Sequence, residues 1–241
     1  MSLLQILEYR RSVRDYLPTP IDPDLVKQCL KLATLAPTSS NMQLYEFYHV
    51  TDRALLDKLA VACLSQGAAR TAQQMVVFVV RPDLHRQRAK AVWEFEKNNI
   101  KTYIPIGRRA QRLKQINQYY NQLIPLIYSQ RPLLPVARQM LAQAMGVFRP
   151  TYDGVSDTDI QSVLHKSCGL VAQTFMLAMS EQGLDTCPME GFDSKRVKQL
   201  LNLPKDSQIN MVIACGLRSD KGVWGERFRV PFETVYRRLS E

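Results

Sequence analysis

Long hydrophobic runs are missing from this 241-residue sequence. Uninterrupted apolar stretches grow no longer than Met75 to Val80, far short of the roughly 20 residues a membrane-spanning helix needs. Near Met1 the apolar residues are too few for a secretory signal, and the arginines follow them rather than precede them. Cysteine is sparse. The five stand at positions 29, 63, 168, 187 and 215, no two within metal-ligand spacing. The three histidines, at 49, 85 and 165, are equally scattered. A disulfide scaffold and a zinc site are thereby excluded, and reduced, buried thiols in a cytoplasmic protein are expected.

Familiar catalytic signatures are missing too. No G-x-G-x-x-G or G-x-x-x-x-G-K-[ST] segment offers a pyrophosphate turn, and no G-x-S-x-G elbow offers a nucleophile. No pair of carboxylates stands out as an acid–base couple. An enzyme with such gaps leaves its hard chemistry to a bound cofactor.

What is present describes an ordinary globular chain, 46% hydrophobic and 22% charged. Lys and Arg total 32 against 22 Asp and Glu, a net charge of +10 that favours an anionic ligand. Nucleic acid is the weaker reading, because the aromatics do not interleave with the basic residues as a stacking platform requires. From Arg81 to Lys114 the excess is concentrated, with Asp83, Glu94 and Glu96 the only acidic residues. That stretch fits a solvated helical face, a lid, or an attractor of dinucleotide phosphates.

Periodicity sets the expected elements. Helical spacing runs through residues 2–9 and again after Asp22-Pro23, a capping pair, until Pro37. Strands are expected at Leu44 to Val50, Met75 to Val80 and Ile209 to Cys215, with a helix from Asp52 to Ala60. Residues 83–149 read as a helical insertion broken by prolines at 105, 125, 132 and 135. Ser156 opens a long helix that Gly183 ends, and the segment from Gly183 to Asp193 reads as cap, loop and cap. The tail, about 217–241, carries Trp224, Phe228, Val230, Phe232 and Tyr236, so it must pack on something. A single α+β domain results.

Four segments carry possible chemistry. Arg10-Arg11-Ser12-Val13-Arg14 offers guanidinium forks and a hydroxyl that match phosphate oxygens, with Arg10, Ser12 and Arg14 on one face if the chain is extended. Ala36 to Gln43 (APTSSNMQ) offers hydroxyls and amides for a planar polar ring. Pro188-Met189-Glu190-Gly191-Phe192-Asp193 has a glycine that permits close backbone approach. Arg227-Phe228-Arg229-Val230-Pro231 alternates two arginines onto one face, or forms a charged edge strand. Each has a bland structural reading when taken alone.

In this order and spacing, the four segments resemble the FMN-dependent nitroreductase family, over nearly the whole chain and with a longer middle. One departure is that Gln43 is followed by Leu44-Tyr45, where members often have Pro-Trp. The resemblance implies a three-layer α+β sandwich with a mixed, mostly antiparallel sheet, and an interlocked homodimer whose C-terminal arms embrace the partner. It implies FMN at the subunit interface. Arg10, Ser12 and Arg229 would hold its phosphate, with Arg11 and Arg227 nearby. Arg14 would face the N1/O2 edge as an electrostatic stabiliser. Thr38, Ser39 and Asn41 would reach the flavin from the other subunit. Pro188, Met189, Glu190 and Gly191 would bring backbone amides near N5, and Gln66 would meet the pyrimidine edge. The expected activity is ping-pong hydride transfer from NAD(P)H, through the flavin, to nitroaromatics, quinones or similar small electron-poor acceptors. Dehalogenation or dehydrogenation on the same fold is the alternative.

Overall fold

The computed structural model describes residues 2–129, 154 and 156–239. Ser2 opens helix α1 (Leu3–Tyr9) with a reciprocal cap: its hydroxyl accepts from the Gln5 amide, and the Gln5 side chain accepts from the Ser2 N–H. Asp22 and Pro23 start α2 (Pro23–Ala33) as their sequence prescribes, and the helix stops before Pro37 is reached. Strand β1 (Tyr45–Val50), helix α3 (Arg53–Ala62) and the short α4 (Gly67–Thr71) lead to β2 (Gln74–Val80). Helices α5 (His85–Tyr103) and α6 (Ile106–Gln118) meet at Pro105. A π-turn over Tyr119–Leu123 joins α6 to α7 (Ile124–Ile127). Residues 130–149 of the expected helical insertion, with Pro132 and Pro135, lie outside the described residues.

The long helix α8 (Asp157–Glu181) starts from a Ser156–Asp159 capping box, and Gly183 follows it at φ +72°. Strand β3 (Asp185–Met189), helix α9 (Ser194–Leu200, capped by Asp193), strand β4 (Gln208–Gly216) and the single turn α10 (Phe232–Val235) complete the described chain. The strands lie in the order β1-β2-β4-β3, each pairing antiparallel, and an isolated parallel bridge joins Ser12 to Thr186.

The run from Met75 to Val80 explains the layering. Val76, Phe78 and Val80 join a core with α2, α5 and α8, while Met75, Val77 and Val79 join a second core with α3, α4 and α9. A strand apolar on both faces must be covered on both faces, which gives helix, sheet, helix. Phe78 sits at the centre of the first core, with ring centroids 5.1 Å from Phe47 and 5.5 Å from Phe175.

Two sequence readings are corrected here. The segment from Gly183 to Asp193 contains β3, not only caps and a loop. Pro188 masked it in the sequence; at the sheet edge a residue without an N–H is tolerated. The Arg227–Pro231 segment forms no strand. All five cysteines are free and buried. Burial pushes the Cys29 thiol up to about 11 and those of Cys63 and Cys168 up to about 12, so none of these three carries thiolate at neutral pH. No helix among the described residues is long and apolar enough to cross a membrane.

A polar knot fixes where the N-terminal segment leaves α1. Asp185, only 2% exposed, accepts from the Arg218 backbone N–H (2.8 Å) and from its Nε (2.9 Å). The same guanidinium donates to the Tyr9 carbonyl and lies 4.2 Å from the centroid of the Tyr9 ring. Its bonds to Asp185 raise the arginine further above its ordinary range. The ends of α1 and β4 and the start of β3 are thereby tied together.

Candidate functional site

Residues 11–14 leave this knot extended. The Val13 N–H donates to the Thr186 carbonyl (3.1 Å) and the Arg14 N–H to the Gly222 carbonyl (2.8 Å). Val13 is fully buried in the core, so its neighbours Ser12 and Arg14 turn outward. There they line a cavity of about 210 Å3 with Arg10, Arg11, Trp224, Glu226, Arg227, Phe228 and Arg229. The two ends of the chain, more than 200 positions apart, build one wall.

Five guanidiniums meet there, and among the described residues none of the five is in an ion pair. Among the described residues their side-chain hydrogen bonds go to backbone carbonyls. Arg227 donates to those of Leu7, Glu8 and Arg10, at the C-terminal end of α1 where a cation is favoured. Arg11 donates to Gly225, Arg229 to Phe228 and Arg14 to Ser12. Burial, and then the charges of Arg227, Arg229 and Arg11, lower the Arg10 pKa from its ordinary value. Five like charges beside one carboxylate, Glu226, that pairs with none of them among the described residues fit a multiply charged phosphate, whose oxygens accept bidentate forks. The cavity is smaller than the roughly 300–1,000 Å3 of small-molecule pockets, so one chain supplies room for only part of a ligand.

A second wall adjoins the first. The α4 N-terminus rests on the Arg14 backbone: a Cβ at Gly67 would stand 2.9 Å from the Arg14 carbonyl oxygen. Just before it, Leu64 and Ser65 take left-handed conformations at φ +58° and +51°, which cost non-glycine residues energy. The Gln66 amide Nε2 donates to the carbonyls of Gly191 (2.7 Å) and Cys63 (3.0 Å), so two expected site residues are in direct contact. Glu190 and Gly191 are exposed beyond the end of β3. The Met189 side chain is buried in the core at 2% exposure and Pro188 is half-buried, which leaves backbone alone available from Met189. Gly67→Ala is expected to destabilise the fold by about 1–3 kcal/mol through this clash, measured by urea unfolding. Gly107→Ala in α6 has open space around the added methyl and serves as a control with no such loss.

Thr38, Ser39 and Asn41 are elsewhere. Among the described residues no hydrogen bond links them to the arginines; Thr38 and Ser39 border a separate hollow of about 10 Å3 with Ser167 and Cys168. Their loop is bent sharply, with Ser40, Asn41 and Gln43 at positive φ. Contacts hold it in that shape. Ser40 Oγ shares a hydrogen with the Tyr119 hydroxyl (2.6 Å), the Tyr120 hydroxyl donates to the Ser40 carbonyl (3.1 Å), and the Ser39 N–H donates to Ser167 (3.1 Å).

Sequence reasoning passed over Trp224, Leu64, Ser65 and Gly67 as site residues. Trp224 did have a signal, an aromatic residue inside a glycine-flanked turn beside the arginines. The left-handed pair had none, because Leu and Ser rarely adopt that conformation.

The sequence pattern of the nitroreductase family matches residues 7–217. The chain belongs to that family. It is 24% identical to the 4-nitrobenzoate reductase of Pseudomonas putida over 95% of this chain and 90% of that one. It is 23% identical to the Bacillus subtilis protein MhqN, which is named for NAD(P)H nitroreductase activity, over 94% of this chain and 93% of that one. Among solved structures it shares its fold with an Exiguobacterium sibiricum protein in complex with FMN, at TM-score 0.65 and 22% identity, covering 98% of this chain and 97% of that one. The matched span takes in the 10–14, 36–43 and 188–193 segments of this nitroreductase-family chain and ends before Arg227.

Proposed function

We propose that the protein is an FMN-dependent oxidoreductase that takes a hydride from NAD(P)H and passes it, in ping-pong fashion, to small electron-poor acceptors such as nitroaromatics and quinones. The observation that carries this reading is the meeting of Arg10, Arg11, Arg14, Arg227 and Arg229 in one cleft, none of them paired with a carboxylate among the described residues. Arg10, Ser12 and Arg229 would hold the FMN phosphate, and Arg11 and Arg227 would complete the positive rim. Gln66, with Nε2 committed to Gly191 and Cys63, offers Oε1 as an acceptor at the pyrimidine edge. Bound FMN would supply two-electron hydride chemistry.

The chain's own part in the reaction is electrostatic. The Arg14 guanidinium would face the N1/O2 edge of a bound flavin and favour negative charge there. The backbone at Glu190 and Gly191 would be the part of the chain offered to the N5 side. Donor and acceptor take turns in one place, so no catalytic triad is needed.

A homodimer completes the site. Three features support it: the cavity holds part of a ligand, the Thr38–Asn41 loop stands apart from the arginines, and the tail displays Phe228, Val230, Phe232, Val235 and Leu239 to solvent. In the dimer the loop of one chain meets the arginines of the other. Five free thiols suit a reducing compartment such as the cytoplasm.

Anaerobic absorbance spectroscopy tests the reading. The purified protein should bind FMN and bleach on mixing with NADPH or NADH, and Arg14→Ala should slow bleaching by about tenfold or more. A colourless protein that takes up no FMN would sink the proposal; an unchanged bleaching rate would remove Arg14 from its role.

A further inference from the structure

Arg14 presents a physical problem. Its side chain is exposed, has no carboxylate partner among the described residues, and makes one hydrogen bond among them, a long one of 3.3 Å to the carbonyl of its near neighbour Ser12. A flexible guanidinium in water samples many rotamers, and aiming it at one ligand edge costs entropy. We infer that Trp224 is the positioning residue that aims Arg14 at the flavin, an inference that rests on the function proposed above.

The indole ring lies over the guanidinium, 4.8 Å from the Arg14 Cζ to the ring centroid. Trp224 is 70% exposed, so core packing does not explain its placement. The surrounding turn is stitched to the 11–15 segment instead. Gly222 accepts from the Arg14 N–H, and Asp15 accepts from both the backbone N–H (3.1 Å) and the hydroxyl of Ser219. Arg11 donates to the Gly225 carbonyl (2.9 Å), and Gly225 takes φ +66°, which suits glycine. A Cβ at Gly222 would come within 2.6 Å of the Asp15 carbonyl oxygen, so the turn sits as close to the strand as backbone allows. Each stitch fixes the indole relative to Arg14. Trp224 holds the guanidinium by its ring face and leaves the N–H edge free for the flavin.

The test has a flavin-free arm and a flavin-bound arm. In apoprotein, NMR of the Arg14 Nε–H should show an upfield ring-current shift that Trp224→Ala abolishes and Trp224→Phe largely keeps. With FMN bound, Trp224→Ala should lower the flavin midpoint potential. It should also slow reduction by NADPH about 2- to 5-fold, as loss of an exposed cation–π contact of ~0.5–1 kcal/mol implies. Trp224→Phe should restore most of the rate, and Trp224→Ala should add nothing in an Arg14→Ala background. The inference is overturned by wild-type potential and rate in Trp224→Ala, by an effect that persists without Arg14, or by a loss of FMN as severe as that of an Arg10 variant. Failure of the wild type to take up FMN would instead overturn the proposed function, and the ring-current arm would still decide whether the indole holds Arg14.

Discussion

Replacing Arg10 with alanine is expected to weaken FMN binding by about 10- to 150-fold, the cost of losing a charge-assisted hydrogen bond of ~1.5–3 kcal/mol. Arg10 is half-buried, and burial together with Arg227, Arg229 and Arg11 already disfavours its charge. The same neighbours make a second effect run the other way. Without ligand, deleting one of five crowded cations relieves repulsion. The flavin-free variant should therefore melt no lower than the flavin-free wild type, while the FMN-induced rise in Tm shrinks. Fluorescence titration of apoprotein with FMN and thermal melts with and without it measure both. Undiminished affinity in Arg10→Ala would mean that the arginine cleft does not hold the phosphate.

Removal of residues 228–241 is expected to leave a folded monomer that retains FMN at least tenfold less well. Inside one chain the tail contributes little to the core: Phe228 is 79% exposed and Leu239 is 94% exposed. Each such side chain is worth about 1.5–3 kcal/mol when fully buried, which within the described chain it is not. Arg227 stays in the truncated protein and keeps its three bonds to the end of α1, so the N-terminal segment stays anchored. Arg229 goes, and with it one of the five guanidiniums of the arginine cleft. Sedimentation velocity reads the assembly state, circular dichroism the fold and flavin absorbance the retention. A truncated protein that remains dimeric with full flavin would refute both roles given to the tail.

Much of the fold was legible because local rules and packing agree. Asp22-Pro23 and Ser156 with Asp159 announce helix starts, and both helices begin there. The run from Met75 to Val80 announces a strand covered on both faces. Strand β3 was hidden by Pro188 and by polar Asp185 and Thr186: the burial of Asp185 rests on Arg218, brought from 33 positions away, and Thr186 is held through its backbone carbonyl, which accepts from the Val13 N–H. The 227–231 segment alternates like a strand, yet Arg227 turns back to cap α1, a preference no local pattern encodes.

The site divides along the same line. The sequence by itself determined which groups could bind a phosphate, since guanidinium chemistry at positions 10, 11, 14, 227 and 229 does not depend on context. It also determined that the strand from Met75 to Val80 is covered on both faces, since both of its sides are apolar. Only the tertiary structure decided that these arginines share one cleft with no ion pair among the described residues, that a side chain at Gly67 would press on the Arg14 carbonyl, and that Trp224 covers Arg14. Those relations depend on distances between residues up to 219 positions apart (Arg10 to Arg229), and such distances are set by how helices and sheet pack rather than by the order of side chains along the chain.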